Sequence, residues 1–263
     1  MLNYALVRPG AASAARIFIP EAAIIVTQNA TVDVVEIKVF TSNATRSVLD
    51  ALVPGFERAS GRKVTVIHDS AKVMLARIKS GETADVAVLL THAIDELVQL
   101  GRITAASRRP FSRSIVGIAV LAGKPKPDIS SLGAFKRTLL EAKSIAHTVN
   151  GASGMYFPKL AERLGITAQI SHKVVTRPGG LIGRVVAAGE AEIAFQQISE
   201  LLSVPGIDLV GPLPPEVQVT IESATGIFAD SKHPAAAQAL LDFFSTPAAA
   251  GVFKAKGLES TLG

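Results

Sequence analysis

The sequence predicts an α/β protein with a largely parallel sheet, built as two successive blocks. Three observations carry this. Short apolar or alternating runs recur between segments with apolar residues at helical spacing, so strand and helix alternate along the chain. The run 85–90 is apolar almost throughout, as suits a strand buried on both faces. A rigid break, Lys124-Pro125-Lys126-Pro127, separates one stretch of alternation from the next.

The elements follow in order. Val35, Ile37 and Val39 alternate, which predicts a strand. Thr41, Ser42, Asn43 and Ala44 read as a turn before a helix over 45–58, with Val48, Leu49, Leu52, Val53 and Phe56 on one face and a stop near Gly61. Val64 and Val66 open a second strand, closed by His68, Asp69 and Ser70, and a helix follows over 71–79. After strand 85–90 comes a helix over 92–100, stopped by Gly101. Strand 114–121 leads to the Lys-Pro break. The alternation then restarts: helix 131–142, strand 144–148, helix 154–164, strand 172–176, helix 180–188, strand 191–196. The stretch 204–215 reads as loop because of Pro205, Pro212, Pro214 and Pro215. An extended stretch covers 217–228. Two helices close the chain, the second with Thr246 as N-cap and Pro247 at the first helical position. They have no strand of their own and could return to the first block.

Composition removes several classes of function. The chain has 263 residues, 48% of them hydrophobic and 19% charged, which suits an ordered globular protein large enough to fold without metal or disulfide staples. It has no Cys, so disulfides, thiolate metal sites and thiol catalysis are excluded together. The five histidines, at 68, 92, 147, 172 and 233, show no metal-ligand spacing. No cofactor is expected. Neither a P-loop nor a G-x-G-x-x-G turn occurs, and Gly151-Ala152-Ser153-Gly154 does not satisfy the nucleophile elbow. The net charge of +5 favours anionic partners weakly. With basic residues scattered, two Tyr and no Trp, nucleic acid is not an expected partner. No run approaches the ~18–20 apolar residues of a membrane span. Residues 1–34, broken by Pro9, Gly10, Arg16 and Pro20, read as an extension without a clear secretory signal.

What remains is a set of strand-to-helix turns rich in small polar residues: 41–43, 69–70, 150–154 and 177–180. Helix N-termini carry free N–H groups and partial positive charge, and ligands of open parallel sheets sit beyond the carboxyl ends of the strands. The alternative is that Ser, Thr, Asn and Asp there only cap helices. If the blocks face each other, four such turns converge on one cleft. Arg177 would add a full charge able to hold a carboxylate bidentately, and Phe195, Gln196 and Gln197 end a strand at the same edge.

The stretch IKVFTSNATRSVLDALVPGFERASGRKVTV resembles the opening of type 2 periplasmic solute-binding proteins, close to the molybdate-binding branch. LARIKSGETADVAVL, AIDELVQLGRI, GEAEIAFQQISELL and LLDFFSTPAAAGVFKAKGL are similar to the same family in the same order, so the resemblance covers about 35–260. It implies a two-lobe fold: 35–119 and 222–263 form lobe 1, 120–221 form lobe 2, and 114–121 and 217–228 cross between them. It implies an ABC-importer component that traps a small anion by hinge closure, works in the periplasm, partners a permease and is monomeric. Carried over by position, the ligand-binding residues are Ser42, Asn43, Ser70, Ser153, Gly154, Arg177, Gly179, Phe195 and Gln196. The family's ligand Ser falls on Ala44, its site Tyr on Phe195, and Arg177 introduces a charge. The expected ligand is therefore a molybdate-like oxyanion or a small carboxylate. An alternative from the same scaffold is an aconitate-isomerase-like enzyme moving a proton next to a carboxylate, with His68, Asp69, His172 and Arg177 as candidates.

Overall fold

The structure, a computed structural model, describes residues 34–261. The extension predicted over 1–34 lies, apart from Val34, outside the described residues.

Strand β1 (Glu36–Ser42) runs directly into helix α1 (Asn43–Ser60), with no loop residue between them. The helix ends where Gly61 adopts φ +68° and returns its N–H to the Glu57 carbonyl at 2.9 Å. Then come β2 (Lys63–Asp69), α2 (Ala71–Lys79), β3 (Val86–Leu90) and α3 (Thr91–Gln99). The 13-residue β4 (Arg109–Leu121) follows. The second block contains α4 (Leu132–Glu141), β5 (Ile145–Thr148), α5 (Ala152–Arg163), the short α6 (Thr167–Ile170), β6 (Val174–Arg177), α7 (Gly183–Ala187), β7 (Ile193–Gln197) and α8 (Ile198–Leu201). The chain continues through β8 (Ile207–Pro212), β9 (Thr220–Ile227), α9 (Pro234–Phe244), α10 (Pro247–Ala255) and β10 (Glu259–Ser260).

The strands form an array ordered β2-β1-β3-β9-β4-β7-β5-β6, with β8 and β10 also paired to β4. β1 is parallel to β2 and β3, and β5 is parallel to β6 and β7. Between these groups, β4 pairs antiparallel with β9 over Arg109–Ile115, then with β7 from Val116 and β8 from Gly117. One long strand thus belongs to both halves. Helices cover both faces of each half. On one face of the first, Val48, Leu52 and Phe56 of α1 pack with Leu240 and Phe244 of α9 and Phe253 of α10. The terminal helices therefore do return to the first block. Met74 and Ile78 of α2 and Ile94 of α3 close its other face. In the second half, Phe135, Phe157, Leu160 and Phe195 form one core, and Val186, Ala194 and Leu201 are part of the other.

Four sequence expectations are corrected. The stretch 204–215 is not all loop: β8 pairs with β4, its prolines placed before and at the strand's end, where no inner ladder N–H is lost. Strand 114–121 begins five residues earlier than predicted, because Arg109, Pro110 and Arg113 hide an edge that β9 covers. The helix predicted over 180–188 starts only at Gly183. Gly180 sits at φ +85°, and the Ile182 N–H is taken by the Gln196 side chain at 2.8 Å. At the last helix, Thr246 and Pro247 hold their predicted places, but the Thr246 hydroxyl donates back to the Phe243 carbonyl instead of capping.

Candidate functional site

The carboxyl ends of β1, β3, β5 and β7, with Ser70 just past β2, meet at one small, partly open cavity of about 10 Å³, room for about one water. Its first wall is Ser42, Asn43 and Ala44 at the start of α1, Ser70 and Ala71 at the start of α2, and Leu90 ahead of α3. Its second wall is Thr148, Gly151 and Ala152 at the start of α5, with Gly180, Gln197 and Glu200. The N-cap residues Ser42, Ser70, Leu90 and Gly151 make no side-chain cap bonds. The N–H groups opening these four helices therefore receive no acceptor from their caps, and the helix dipoles leave partial positive charge on the cavity wall. No Lys or Arg lines it.

The walls touch. The Lys72 N–H in the first turn of α2 donates to the Asn150 carbonyl at 3.3 Å. A Cβ on Gly179 would lie 3.1 Å from the Ser70 Cβ and Oγ, so a residue without a side chain permits this approach. Glycine is also required beneath the second wall: a Cβ on Gly154 would fall 1.5 Å from the Thr148 carbonyl oxygen.

Hydrogen bonding differs across the cavity. On the first wall, the Asn43 side-chain oxygen meets His68 Nδ1 at 2.9 Å, and Asp69 Oδ1 accepts from the Ser70 N–H at 2.7 Å. Burial, then the Arg46 charge, lowers the His68 pKa. On the second wall the buried Thr148 hydroxyl has no protein partner, nor has that of Ser153 in the first turn of α5. His147 Nδ1 donates to the Thr148 carbonyl at 3.0 Å, and burial lowers its pKa. The Gln196 amide is fixed at both ends. Its oxygen accepts from Ile182, while its nitrogen donates to the Gly180 carbonyl at 2.8 Å and to Glu200 Oε1 at 3.0 Å. Gln197 donates to Glu200 Oε2 at 3.2 Å. Glu200 is 4% exposed, and burial pushes its pKa up to about 8.

Of the residues expected at the site, Ser42, Asn43 and Ser70 line the cavity, Gly179 abuts Ser70, and Ser153 and Gly154 lie in the first turn of α5. Gln196 stands behind the wall, positioning Glu200. Ser153, Gly154, Gly179 and Gln196 do not line it, and Arg177 and Phe195 are engaged elsewhere. Arg177 is exposed and turned to Glu190 and the Thr176 carbonyl. Phe195 is fully buried against Phe157, centroids 4.9 Å apart. His172 is exposed on a turn away from the cavity. Glu200 and Thr148 were not anticipated. The only trace of Glu200 in the sequence is one acid set among Ile198, Leu201 and Leu202 directly after two glutamines.

Residues 37–259 match the family described as bacterial extracellular solute-binding protein. The chain belongs to that family. As a solute-binding protein it is 35% identical over 232 residues to an aconitate isomerase from Pseudomonas sp, covering 86% of this chain and 88% of that one. Among solved structures, the periplasmic molybdate-binding protein of Azotobacter vinelandii matches with TM-score 0.71 and 20% identity, over 84% of this chain and 98% of that one. The sulfate-binding protein SubI of Mycobacterium tuberculosis H37Rv matches with TM-score 0.70 and 18% identity, over 86% and 87%. These two likenesses show the two-lobe α/β fold. Among the described residues, no helix is long and apolar enough to cross a membrane, and no group of three His, Asp or Glu side chains could hold a metal ion.

Proposed function

We propose that this protein captures a small ionised polycarboxylate in the cavity between its two halves and hands it to an ABC-type permease outside the cytoplasm. One observation carries the reading: four helix N-termini, on α1, α2, α3 and α5, open without side-chain caps onto a cavity whose second wall holds the unpartnered Thr148 hydroxyl. Such a wall holds an anion by N–H and O–H donation, with no cation needed. The 35% identity to a protein named for aconitate supports a tricarboxylate over a tetrahedral oxyanion, since the molybdate- and sulfate-binding structures are alike only at 20% and 18%. In this reading 35–119 and 222–263 form one lobe and 120–221 the other, and the hinge lies where β4 exchanges β9 for β7 and β8. The Lys72–Asn150 hydrogen bond and the Gly179–Ser70 approach are contacts of the closed state. Isothermal titration with trans-aconitate, citrate, molybdate, tungstate and sulfate tests this. A tricarboxylate should bind one per chain and most tightly. Tighter binding of a tetrahedral oxyanion, or no binding at all, rejects the carboxylate.

A second reading, isomerisation of the bound tricarboxylate, is supported by the same relative and by the titratable Glu200 at the cavity. It requires a group that gives and takes a proton beside a carboxylate. Incubation with trans-aconitate in deuterated buffer, followed by NMR, separates the readings. Appearance of the cis isomer supports an enzyme, and an unchanged spectrum after hours leaves capture alone.

A further inference from the structure

We propose that Glu200 is the specificity-determining residue of this cavity: its neutral carboxyl donates a hydrogen bond to the bound anion, so that ligand affinity is coupled to one proton. The inference rests on the reading of the cavity as an anion site.

The geometry argues for it from both sides of the carboxyl. Each Glu200 oxygen accepts one amide N–H, Oε1 from Gln196 and Oε2 from Gln197. The Gln196 amide cannot turn, because its oxygen already holds the Ile182 N–H and its second hydrogen goes to Gly180. Glu200 is therefore offered two donors and no cation. The surrounding charges are engaged elsewhere or exposed. On α1, Arg46 pairs with Asp50, Glu57 accepts the Val64 N–H, and Arg58 is exposed. On β4, Arg109 pairs with Asp242 and Arg113 with Glu222. On β8, Asp208 accepts the Gly123 N–H, and β7 carries no charge. Across the cavity, His68 stands behind Asn43, and Asp69 accepts the Ser70 N–H and pairs with Arg77; Lys256 lines a different cleft, with Ser199 and Leu202. Burial with no compensating cation favours the neutral acid.

A neutral carboxyl must place its O–H somewhere. Both hydrogen bonds that Glu200 makes come from amide N–H donors, so neither takes its O–H. An oxyanion in the cavity supplies an acceptor. An ionised carboxylate is the stronger acceptor for this donor, because a hydrogen bond to a charged oxygen outweighs one to a neutral carbonyl. The site thus favours the ionised form of its ligand and weakens when Glu200 ionises, because a second negative charge then faces the anion.

The experiment measures trans-aconitate affinity by calorimetry from pH 6.5 to 9.5, a range in which the ligand's carboxyls stay ionised. For the unmodified protein, Kd should be level below about pH 8 and then rise tenfold per pH unit. In Glu200→Gln and in Glu200→Met, which keeps the volume without a donor, Kd should be independent of pH. A level profile for the unmodified protein, or the same rise in both variants, overturns the proposal. A ligand-free measurement accompanies it. The melting temperature of Glu200→Gln minus that of the unmodified protein should widen as pH rises from 5 to 8, and a constant difference means Glu200 is not neutral there. Failure to bind any anion at any pH, with that difference still widening, rejects the anion site and the donor role together. Binding that is level with pH rejects Glu200's role alone.

Discussion

The two walls of the cavity are built from the same device, a parallel strand running into a helix N-terminus, yet their chemistry differs. On the first wall the polar side chains are already engaged: Asn43 with His68, and Asp69 with the Ser70 N–H. On the second wall the Thr148 hydroxyl is unpartnered, and burial pushes the Glu200 pKa up to about 8. Leaving a buried polar group unpaired destabilises a fold by roughly 1–3 kcal/mol, so a ligand that satisfies the Thr148 hydroxyl would recover that loss.

The largest effect should come from the glycines that shape the walls. Gly154→Ala places a methyl group 1.5 Å from the Thr148 carbonyl, where both the α5 backbone and the end of β5 must shift. We expect a loss of about 3 kcal/mol or more in chemical denaturation. Gly179→Ala, whose methyl would lie 3.1 Å from Ser70, should leave unfolding nearly unchanged and weaken ligand binding instead, because the contact forms between the walls. If both substitutions acted on folding alone, the distinction between a shaping glycine and a closing glycine would be lost.

Next comes the acid. Its pKa stands at about 8 against an ordinary 4.5, so between these values the native state holds a proton that the unfolded chain releases. Stability contributed by the neutral acid is full below about pH 4.5 and falls as pH rises to about 8. At pH 7, Glu200→Gln removes this penalty, which is on the order of 3 kcal/mol, and should therefore unfold at higher denaturant concentration than the unmodified protein. At pH 5 the two midpoints should nearly coincide.

Smaller again are the hydroxyls. Thr148→Val and Ser153→Ala remove groups with no partner in the free protein, so stability should hold or rise by up to about 1 kcal/mol while anion affinity falls about tenfold. Ser70→Ala, on the first wall, should lower affinity by less than about threefold, since the Ser70 hydroxyl lies 3.4 Å from Asp69 and the backbone supplies that wall's donors. Equal losses on both sides would mean that the walls are used alike.

The fold was legible where periodicity and turn chemistry act locally. Apolar residues at helical spacing place α1, and the uniform run at 85–90 announces a strand buried on both faces. The meeting of strand ends at one edge follows from the alternation itself. The rest depends on partners distant in sequence. β8 is a strand because β4 lies beside it, and nothing in its own proline-rich surroundings says so. Glu200 reads as a surface acid on a short helix until β7, β8, β4 and α1 enclose it. The resemblance implies Phe195 at the site, but its ring is drawn into the core of the second half. Phe195 turns to Phe157, while Gln196 faces Glu200.

Arg177 gives the smallest expected effect and the sharpest contrast with its neighbours. Arginine at a strand-to-helix turn is a reasonable clamp for a carboxylate, but here the guanidinium bends back to its own strand's Thr176 carbonyl and pairs with Glu190 in solvent. An exposed pair of this kind contributes little, about 0–1 kcal/mol. Arg177→Ala should therefore change stability by less than about 0.5 kcal/mol and anion affinity by less than about twofold at 0.15 M salt, where charge at a distance is screened. A tenfold loss would bring the arginine into the bound state by a swing of the 177–180 turn. The second wall would then owe its anion to a cation as well as to helix N–H groups and an acid.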